Sequence, residues 1–137
     1  MPSFHYDRLT QFAESDAAGI IHFSCLARYV EEAEHAFLSN AGFPIAIHDP
    51  RSLRWPRVSF KANYIRPFLP FQQIRVILNP IYVGRSSINW KWSMLLSKSS
   101  DVSCEGEMKV VCCVLKAGKL DASPLPPALK KKLTHSA

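Results

Sequence analysis

The sequence predicts an α+β domain in which an antiparallel sheet of about five strands wraps around one long central helix. Two observations lead to this prediction. A single segment, residues 24–41, carries apolar side chains at the helical period of 3.6, whereas five other segments alternate between apolar and polar side chains at period two. The 137 residues suit a single domain over 1–137 that ends in a proline- and lysine-rich tail at 121–137, expected to be loosely held.

The N-terminal part of the chain predicts one strand, one loop and the helix. Residues 4–12 alternate and predict the first strand, although Arg8 interrupts its apolar face. A loop over residues 13–22 follows, and Ser24 is the predicted N-cap of the helix. Gly42 supplies the stop after the last helical turn. The apolar stripe of the helix consists of Leu26, Tyr29, Val30, Ala33 and Phe37.

The rest of the chain predicts strands only, because alternation resumes after an irregular stretch at 43–56 that contains three prolines. These strands cover 57–64, 74–80, 88–96 and 102–115, and Pro80 implies a bulge or an edge in the second of them. Such a sheet has one apolar face and one helix to cover it, so we expect it to curl around the helix. Its exposed edge favours pairing with a second copy, as a homodimer or a homotetramer.

Composition narrows the classes of function. Hydrophobic residues make up 47% of the chain and charged residues 20%, which is typical of a globular protein. No apolar run approaches the ~20 residues of a membrane span, and the N-terminus lacks the apolar region of a signal peptide, so we expect a cytoplasmic protein without membrane contact. The net charge of +6 favours an anionic partner. Four cysteines without metal-ligand spacing are expected to be reduced: Cys25, Cys104, Cys112 and Cys113.

The loop before the helix, FAESDAAGIIHF at residues 12–23, is the most informative stretch of the chain. Asp16 is a carboxylate at the mouth of a run of small residues, and the helix begins shortly after it. The first turn of a helix offers N–H groups without acceptors, which stabilise a developing oxyanion, while a carboxylate can attack a carbonyl or activate water. The arrangement predicts acyl-transfer chemistry at Asp16, with Glu14 as a solvated or structural carboxylate.

This loop resembles that of the hotdog-fold acyl-CoA thioesterases of the 4-hydroxybenzoyl-CoA thioesterase family, which carry a D-x-x-G-(I/V)-(I/V)-aromatic pattern near the N-terminus. Two more stretches are similar to that family: FKANYIRPFLPFQQIRV at 60–76 and IYVGRSSINWKW at 81–92. The resemblance covers roughly residues 4–130 and implies the hotdog fold. The loop also looks like that of the 1,4-dihydroxy-2-naphthoyl-CoA thioesterase branch, which tends to carry Phe seven residues after the Asp, as Phe23 does here.

The resemblance implies a role for each marked residue of the loop. Asp16 would be the catalytic carboxylate, either as a nucleophile that forms a mixed anhydride or as a general base toward water. The backbone N–H of Phe23 would bind the thioester oxygen, and Gly19 would let the backbone pass close to the substrate. His22 would contact the acyl group or the attacking water, or else pack as an interface histidine.

Substrate binding is expected at two further places. Glu31, reached from the partner subunit, would accept a hydrogen bond from a ring hydroxyl, and its neighbour Glu32 is the alternative. Arg85, in the Gly-Arg-Ser-Ser turn, is the expected ligand of the coenzyme A phosphates, with Ser86 and Ser87 as neutral donors. Secondary candidates for the phosphates are Arg66, Lys130, Lys131 and Lys132.

The function that the resemblance implies is hydrolysis of an acyl-CoA thioester, with an aromatic acyl group of the hydroxybenzoyl or dihydroxynaphthoyl type. No metal and no organic cofactor are expected, since coenzyme A is part of the substrate. The alternatives are a short-chain acyl-CoA thioesterase, and a non-catalytic module that binds acyl-CoA or nucleic acid, for which no nucleic-acid-binding motif is visible. A hotdog enoyl-CoA hydratase would place its His five residues after the Asp, whereas His22 lies six residues after Asp16.

Overall fold

The computed structural model describes residues 3–135 and consists of a five-stranded sheet packed against a long helix, with a second helix near the C-terminus. In chain order the elements are β1 (Phe4–Leu9), α1 (Phe23–Asn40), β2 (Arg57–Tyr64), β3 (Gln73–Val83), β4 (Ser87–Leu96), β5 (Val102–Val111), β6 (Cys113–Lys116), β7 (Lys119–Ala122) and α2 (Pro127–Thr134). A 3₁₀ turn, Phe12–Glu14, follows β1. Within the described residues, no helix is long and apolar enough to cross a membrane.

The sheet has the strand order β1-β3-β4-β5-β2, and β6 and β7 pair as a separate hairpin. Every pairing is antiparallel, so that Leu78 of β3 lies opposite Phe4 of β1 on one side and opposite Trp92 of β4 on the other. The two edges of the sheet are therefore β1 and β2. The predicted α+β architecture, a sheet of five strands around one long helix, is confirmed.

One face of the sheet forms the core because alternate residues of the central strands point to it. Val76, Trp90 and Trp92 are fully buried on this face, and α1 covers them with Tyr29 and Val30, which are buried as completely. Burying each such side chain stabilises the fold by ~1.5–3 kcal/mol, and a slip of one residue would turn the whole set to solvent. This face thus fixes the register of the sheet.

Pro80 in β3 and Gly42 after α1 lie where the backbone departs from regular strand or helix geometry. The pairing of β3 with β4 shifts register between Pro80 and Tyr82, which confirms the predicted bulge. Gly42 has φ of +93° just past α1, a backbone conformation that glycine adopts without strain.

Two predicted strand boundaries are wrong. The first strand ends at Leu9 instead of residue 12, because the chain then turns into the 3₁₀ segment, and Phe12 is exposed. The predicted strand at 102–115 is two strands, β5 and β6. They separate at Cys112, which donates its N–H to the carbonyl of Ser86 over 2.6 Å, just before the start of β4, whereas the next residue, Cys113, pairs with Arg54 instead.

Up to residue 135, the C-terminal segment is not the loosely held tail that its proline and lysine content suggested, and the last two residues of the predicted tail lie outside the described residues. Residues 119–122 complete the β6–β7 hairpin, and 127–134 form α2. Leu125, Leu129 and Leu133 recur every four residues and are buried in the same core that α1 covers. The lysines stay on the outer side of α2, so the segment is an amphipathic helix that closes the core.

Truncating the buried face of α2 should destabilise the whole fold. Leu133→Ala removes a fully buried side chain, and we expect a loss of about 2–5 kcal/mol in the free energy of unfolding. Leu120→Ala, at an exposed position of β7, is the control and should change it by less than about 0.5 kcal/mol. Urea denaturation measures both. Equal, small losses would show that α2 is not part of the cooperative core.

Candidate active site

The loop that carries Asp16 is a tight, closed turn. An antiparallel bridge joins Ser15 to Ile21, and inside it Asp16 donates its N–H to the carbonyl of Ile20 over 2.8 Å. Gly19 has φ of +79°, which a side chain would strain, and it donates its N–H to the carbonyl of Asp16 over 3.0 Å. Gly19 therefore shapes the loop through its backbone.

One oxygen of the Asp16 carboxylate accepts a hydrogen bond from within the loop. Oδ1 accepts the N–H of Ala18 over 2.8 Å, an arrangement that orients the side chain. No donor within residues 3–135 reaches the other oxygen, Oδ2, and the residue is only half-buried. One carboxylate oxygen is thus held in place and the other is available for chemistry.

The N-terminus of α1 lies directly after this loop. The N-cap is His22 and not Ser24, because the His22 Nδ1 accepts the Ser24 N–H over 3.2 Å and lies 2.7 Å from the Ser24 hydroxyl. Phe23 is the first residue of the helix, so its N–H has no acceptor within the helix, and no acceptor elsewhere in residues 3–135 replaces it. The Phe23 N–H is free to bind an anion.

Asp16 and Phe23 line the same cleft, which we call the Asp16 cleft, of about 360 Å³. Its other walls are mostly apolar: Ile20, Ile21, Leu26, Tyr64, Ile65, Arg66, Pro67 and Phe68. Arg66 is half-exposed and pairs with Asp101 over 3.4 Å. The cleft thus combines a carboxylate, a helix N-terminal N–H and one cation with apolar walls, which suits an acyl group whose carbonyl becomes negatively charged.

Glu14, two residues before Asp16, is a buried structural carboxylate. Its Oε1 accepts the Tyr29 hydroxyl over 2.7 Å and the Gln11 N–H over 2.8 Å, and its Oε2 accepts Arg8 over 2.9 Å. Arg28 of α1 also pairs with Oε2. Burial alone would raise the pKa of Glu14, but these hydrogen bonds and the Arg8 charge outweigh it and hold the pKa below its usual range.

The Glu14 cluster joins three elements around the loop. Arg8 belongs to β1, Tyr29 and Arg28 to α1, and the backbone carbonyl of Glu14 accepts the His22 N–H over 2.8 Å. The sequence alone did not predict these partners. Its one indication of them was Arg8, a charged residue on the otherwise apolar face of β1. Glu14 is therefore a positioning residue that fixes the loop relative to the helix N-terminus.

Glu31 and Glu32 do not line the Asp16 cleft of their own chain. The Glu31 carboxylate lies 3.2 Å from Arg57 at the start of β2. Glu32 accepts the Tyr6 hydroxyl over 3.1 Å and lies 3.4 Å from Arg8, so it belongs to the neighbourhood of the Glu14 cluster. Of the two, Glu31 is the more exposed and lines a separate, shallow cleft of about 300 Å³.

Arg57 also faces a buried carboxylate, Glu34. The Arg57 Nη2 lies 2.8 Å from Glu34 Oε1, yet neither oxygen of Glu34 receives a well-aligned hydrogen bond. Burial raises the pKa of Glu34 to about 7 despite the opposing attraction of Arg57. Arg57 is thus held between two carboxylates at one end of the edge strand.

Arg85, Ser86 and Ser87 lie at the far end of the sheet from Asp16. The Asp16 loop is fixed to the segment that leads into β3, where Ile21 donates its N–H to the carbonyl of Phe68, whereas Arg85 follows the end of β3. β3 has 11 residues, and at about 3.3 Å per residue it separates the two places by roughly 30 Å. Arg85 is exposed in its turn.

No three side chains of His, Cys, Asp or Glu among residues 3–135 come together as metal ligands would.

A model of the Thioesterase-like superfamily matches residues 10–133. The chain belongs to this superfamily. The predicted family and the thioesterase class are therefore confirmed, while the roles of the individual residues stay predictions.

Relatives and solved structures are similar over nearly the whole chain. A protein of Aquifex aeolicus, provisionally named an esterase, is 31% identical and covers 88% of this chain and 91% of its own. The 1,4-dihydroxy-2-naphthoyl-CoA hydrolase of Synechococcus elongatus is 24% identical over 100% of this chain and 99% of its own. The structure of a 1,4-dihydroxy-2-naphthoyl-CoA thioesterase from Synechocystis matches with a TM-score of 0.83 at 20% identity, over 96% and 95% of the chains, which supports the hotdog fold.

Replacing Glu14 should weaken the fold in a pH-dependent way. Glu14→Gln removes the nearest carboxylate from Arg8 and Arg28, which keep only the more distant Glu32, and we expect a loss of about 3 kcal/mol in the free energy of unfolding at pH 7. Because the pKa of Glu14 is lowered in the folded state, its contribution is complete above the usual Glu pKa and disappears as the pH falls. The difference between wild type and variant should therefore shrink below about pH 4.

Denaturant unfolding at pH 7 and at low pH measures this difference. The exposed Glu107→Gln on β5 is the matched control and should differ little from wild type at either pH. A gap between wild type and Glu14→Gln that does not change with pH would contradict the assignment of a buried, charged Glu14.

Proposed function

We propose that this protein hydrolyses an acyl-CoA thioester with an aromatic acyl group to the free acid and coenzyme A. The observation that carries the proposal is the Asp16 cleft, where a carboxylate with one uncommitted oxygen and the free N–H of Phe23 line the same apolar pocket. Membership of the thioesterase-like superfamily supports the reaction class.

In the proposed mechanism the thioester carbonyl lies between Asp16 and the N-terminus of α1. The Phe23 N–H stabilises the oxyanion as the carbonyl carbon becomes tetrahedral, a contribution that is typically about 3–4 kcal/mol for one donor. Asp16 either attacks the carbon, forming a mixed anhydride that water then hydrolyses, or accepts a proton from the attacking water. Either route releases the coenzyme A thiolate, and neither requires a metal or an organic cofactor.

The aromatic acyl group is supported by the walls of the cleft and by a relative. Phe23, Tyr64 and Phe68 give the cleft flat apolar surfaces of the kind that an aryl ring packs against. The Synechococcus elongatus relative, which matches the full chain, carries the name of a hydrolase for a dihydroxylated naphthoyl thioester. A short-chain acyl-CoA thioesterase is the second candidate.

A homodimer would form through the β2 edge. Tyr64 at the end of β2 contacts Phe23 through a hydrogen bond of 3.3 Å from its hydroxyl to the Phe23 carbonyl, and both rings are exposed at the Asp16 cleft. Val58, on the same edge strand, is exposed as well. An unpaired edge with exposed apolar side chains favours pairing with a second copy.

Antiparallel pairing of two β2 strands would complete the site. It places the Tyr64 end of one copy beside the Arg57 end of the other, and Arg57 holds Glu31. The Arg85 turn lies at that same end. Ser87, which closes the turn, pairs with Val111, and the Val111 N–H is bonded to the carbonyl of the residue before Arg57. The partner subunit's Glu31 and the partner subunit's Arg85 would then approach the acyl end and the phosphate end of one substrate.

The cysteines are consistent with a reducing compartment, and we propose that the protein acts in the cytoplasm. All four thiols are free, and three of them are buried.

Burial raises the pKa of Cys104 to about 12 and that of Cys112 to about 11. Thiols with such pKa values are poor nucleophiles. No cysteine is among the residues that line the Asp16 cleft, where Asp16 is the nucleophilic candidate.

Asp16→Asn tests the mechanism directly. The variant keeps the shape of the side chain but neither attacks nor accepts a proton well, so kcat should fall by about 100-fold or more while the fold is retained. Turnover is followed with a thiol-trapping dye on a panel of acyl-CoA thioesters. Asp121→Asn, at an exposed position of β7, is the control and should keep wild-type turnover. Near-normal turnover of Asp16→Asn would return the loop to a structural role.

The acyl group is tested on the same panel. A carboxylate that accepts a hydrogen bond from a ring hydroxyl rejects the analogue without it, so hydroxylated aryl thioesters should exceed benzoyl-CoA in kcat/KM. Glu31→Ala should shrink that preference by about tenfold, whereas Glu107→Ala should leave it unchanged. Highest kcat/KM with short aliphatic thioesters would favour the second candidate, and binding without turnover would favour a non-catalytic module.

A further inference from the structure

A second, larger cleft lies between the C-terminal end of α1, the β1 side of the sheet and α2. We call it the α1–α2 cleft, and its volume is about 520 Å³. It shares no lining residue with the Asp16 cleft. Ligand pockets in proteins commonly measure about 300–1,000 Å³, so its size suits a small molecule.

The inner wall of this cleft is aromatic and continuous. Phe4, Phe37 and Trp90 are stacked edge to face, with ring centroids 5.6 Å apart for the first pair and 5.3 Å for the second. Leu78 adds an aliphatic surface. The Trp90 ring is buried, and its indole N–H has no acceptor within residues 3–135. The wall therefore offers a large apolar surface.

The rim of the α1–α2 cleft is positively charged. Lys131 and Lys132 of α2 both line it, and no acidic residue does. Neither lysine has a carboxylate within 4.0 Å among the described residues, in contrast to Arg8, Arg28 and Arg57, which are all paired. The rim cations are thus available to a ligand anion next to an apolar pocket.

We propose that the α1–α2 cleft is a second binding site, for a monocarboxylate with an apolar body. The body would lie against the aromatic wall, and the carboxylate would accept hydrogen bonds from Lys131 and Lys132 at the rim. An aliphatic or aryl acid has the required combination of one negative charge and an uncharged body. A fully polar anion would make no apolar contact with the aromatic wall. An uncharged apolar molecule would form no ion pair with the lysines.

Octanoate is a suitable probe, with 1-octanol as its uncharged counterpart. In ¹H–¹⁵N spectra of the full chain, octanoate should shift amides around Asn40, Ala41 and Ala128, and leave those of the Asp16 loop unchanged. Adding saturating coenzyme A should not displace it. Octanol should bind at least about tenfold more weakly, because it lacks the charge that the lysines recognise.

Calorimetric titration of variants tests which residues carry the binding. The double variant Lys131→Gln with Lys132→Gln should raise the Kd for octanoate by about tenfold or more. Lys130→Gln, a neighbour on α2 that does not line the cleft, is the matched control and should stay within about twofold of wild type. Ala128→Phe fills the mouth from an exposed position and should abolish binding, with circular dichroism confirming that α2 is retained.

Three results would overturn the proposal. They are octanoate shifts confined to the Asp16 loop, equal Kd values for the lysine double variant and for Lys130→Gln, and no detectable binding to the wild type. None of them bears on the thioesterase proposal, because that proposal depends on turnover and on Asp16.

Discussion

The buried carboxylate of Glu14 is the interaction on which the geometry of the candidate site depends. A charge in the interior is costly unless it is paired and hydrogen-bonded, and here donors come from β1, the 3₁₀ turn and α1 at once. Its backbone carbonyl also holds the residue that caps α1. The distance between the Asp16 carboxylate and the helix N-terminus is therefore set by a third residue, which takes no part in the proposed chemistry itself.

The edge strand β2 relates the two ends of the proposed substrate site. One protomer places the reactive carboxylate and oxyanion donor near one end of β2, and places Glu31 and the Arg85 turn near the other. In the proposed homodimer, a two-fold axis across this edge would exchange the ends, which is a property of every isologous interface. In that proposed dimer, a long thioester substrate would be held at its acyl group and at its phosphates by residues that are roughly 30 Å apart in a single chain.

The fold and the position of the reactive loop followed from local patterns. Alternation in 57–64 and 88–96, the helical stripe of 24–41 and the stop at Gly42 each reflect which side chains must face the core, so they can be identified from neighbouring residues alone. The sequence of the loop around Asp16 likewise identified the family, because the spacing of small, acidic and aromatic residues is confined to one short segment.

By itself, the sequence determined α1, the five strands of the main sheet, the α+β class and the loop that carries Asp16. Only the tertiary structure decided the partners of Glu14, the role of His22 as the N-cap, the packing of α2 and the separation of Arg85 from Asp16. Those outcomes depend on residues far apart in the chain: Glu14 meets Tyr29 across 15 positions, and the leucines of α2 become core residues because the sheet face beneath them was still uncovered. A pattern of neighbours specifies what each segment must bury, but the strand order specifies which distant segment covers it.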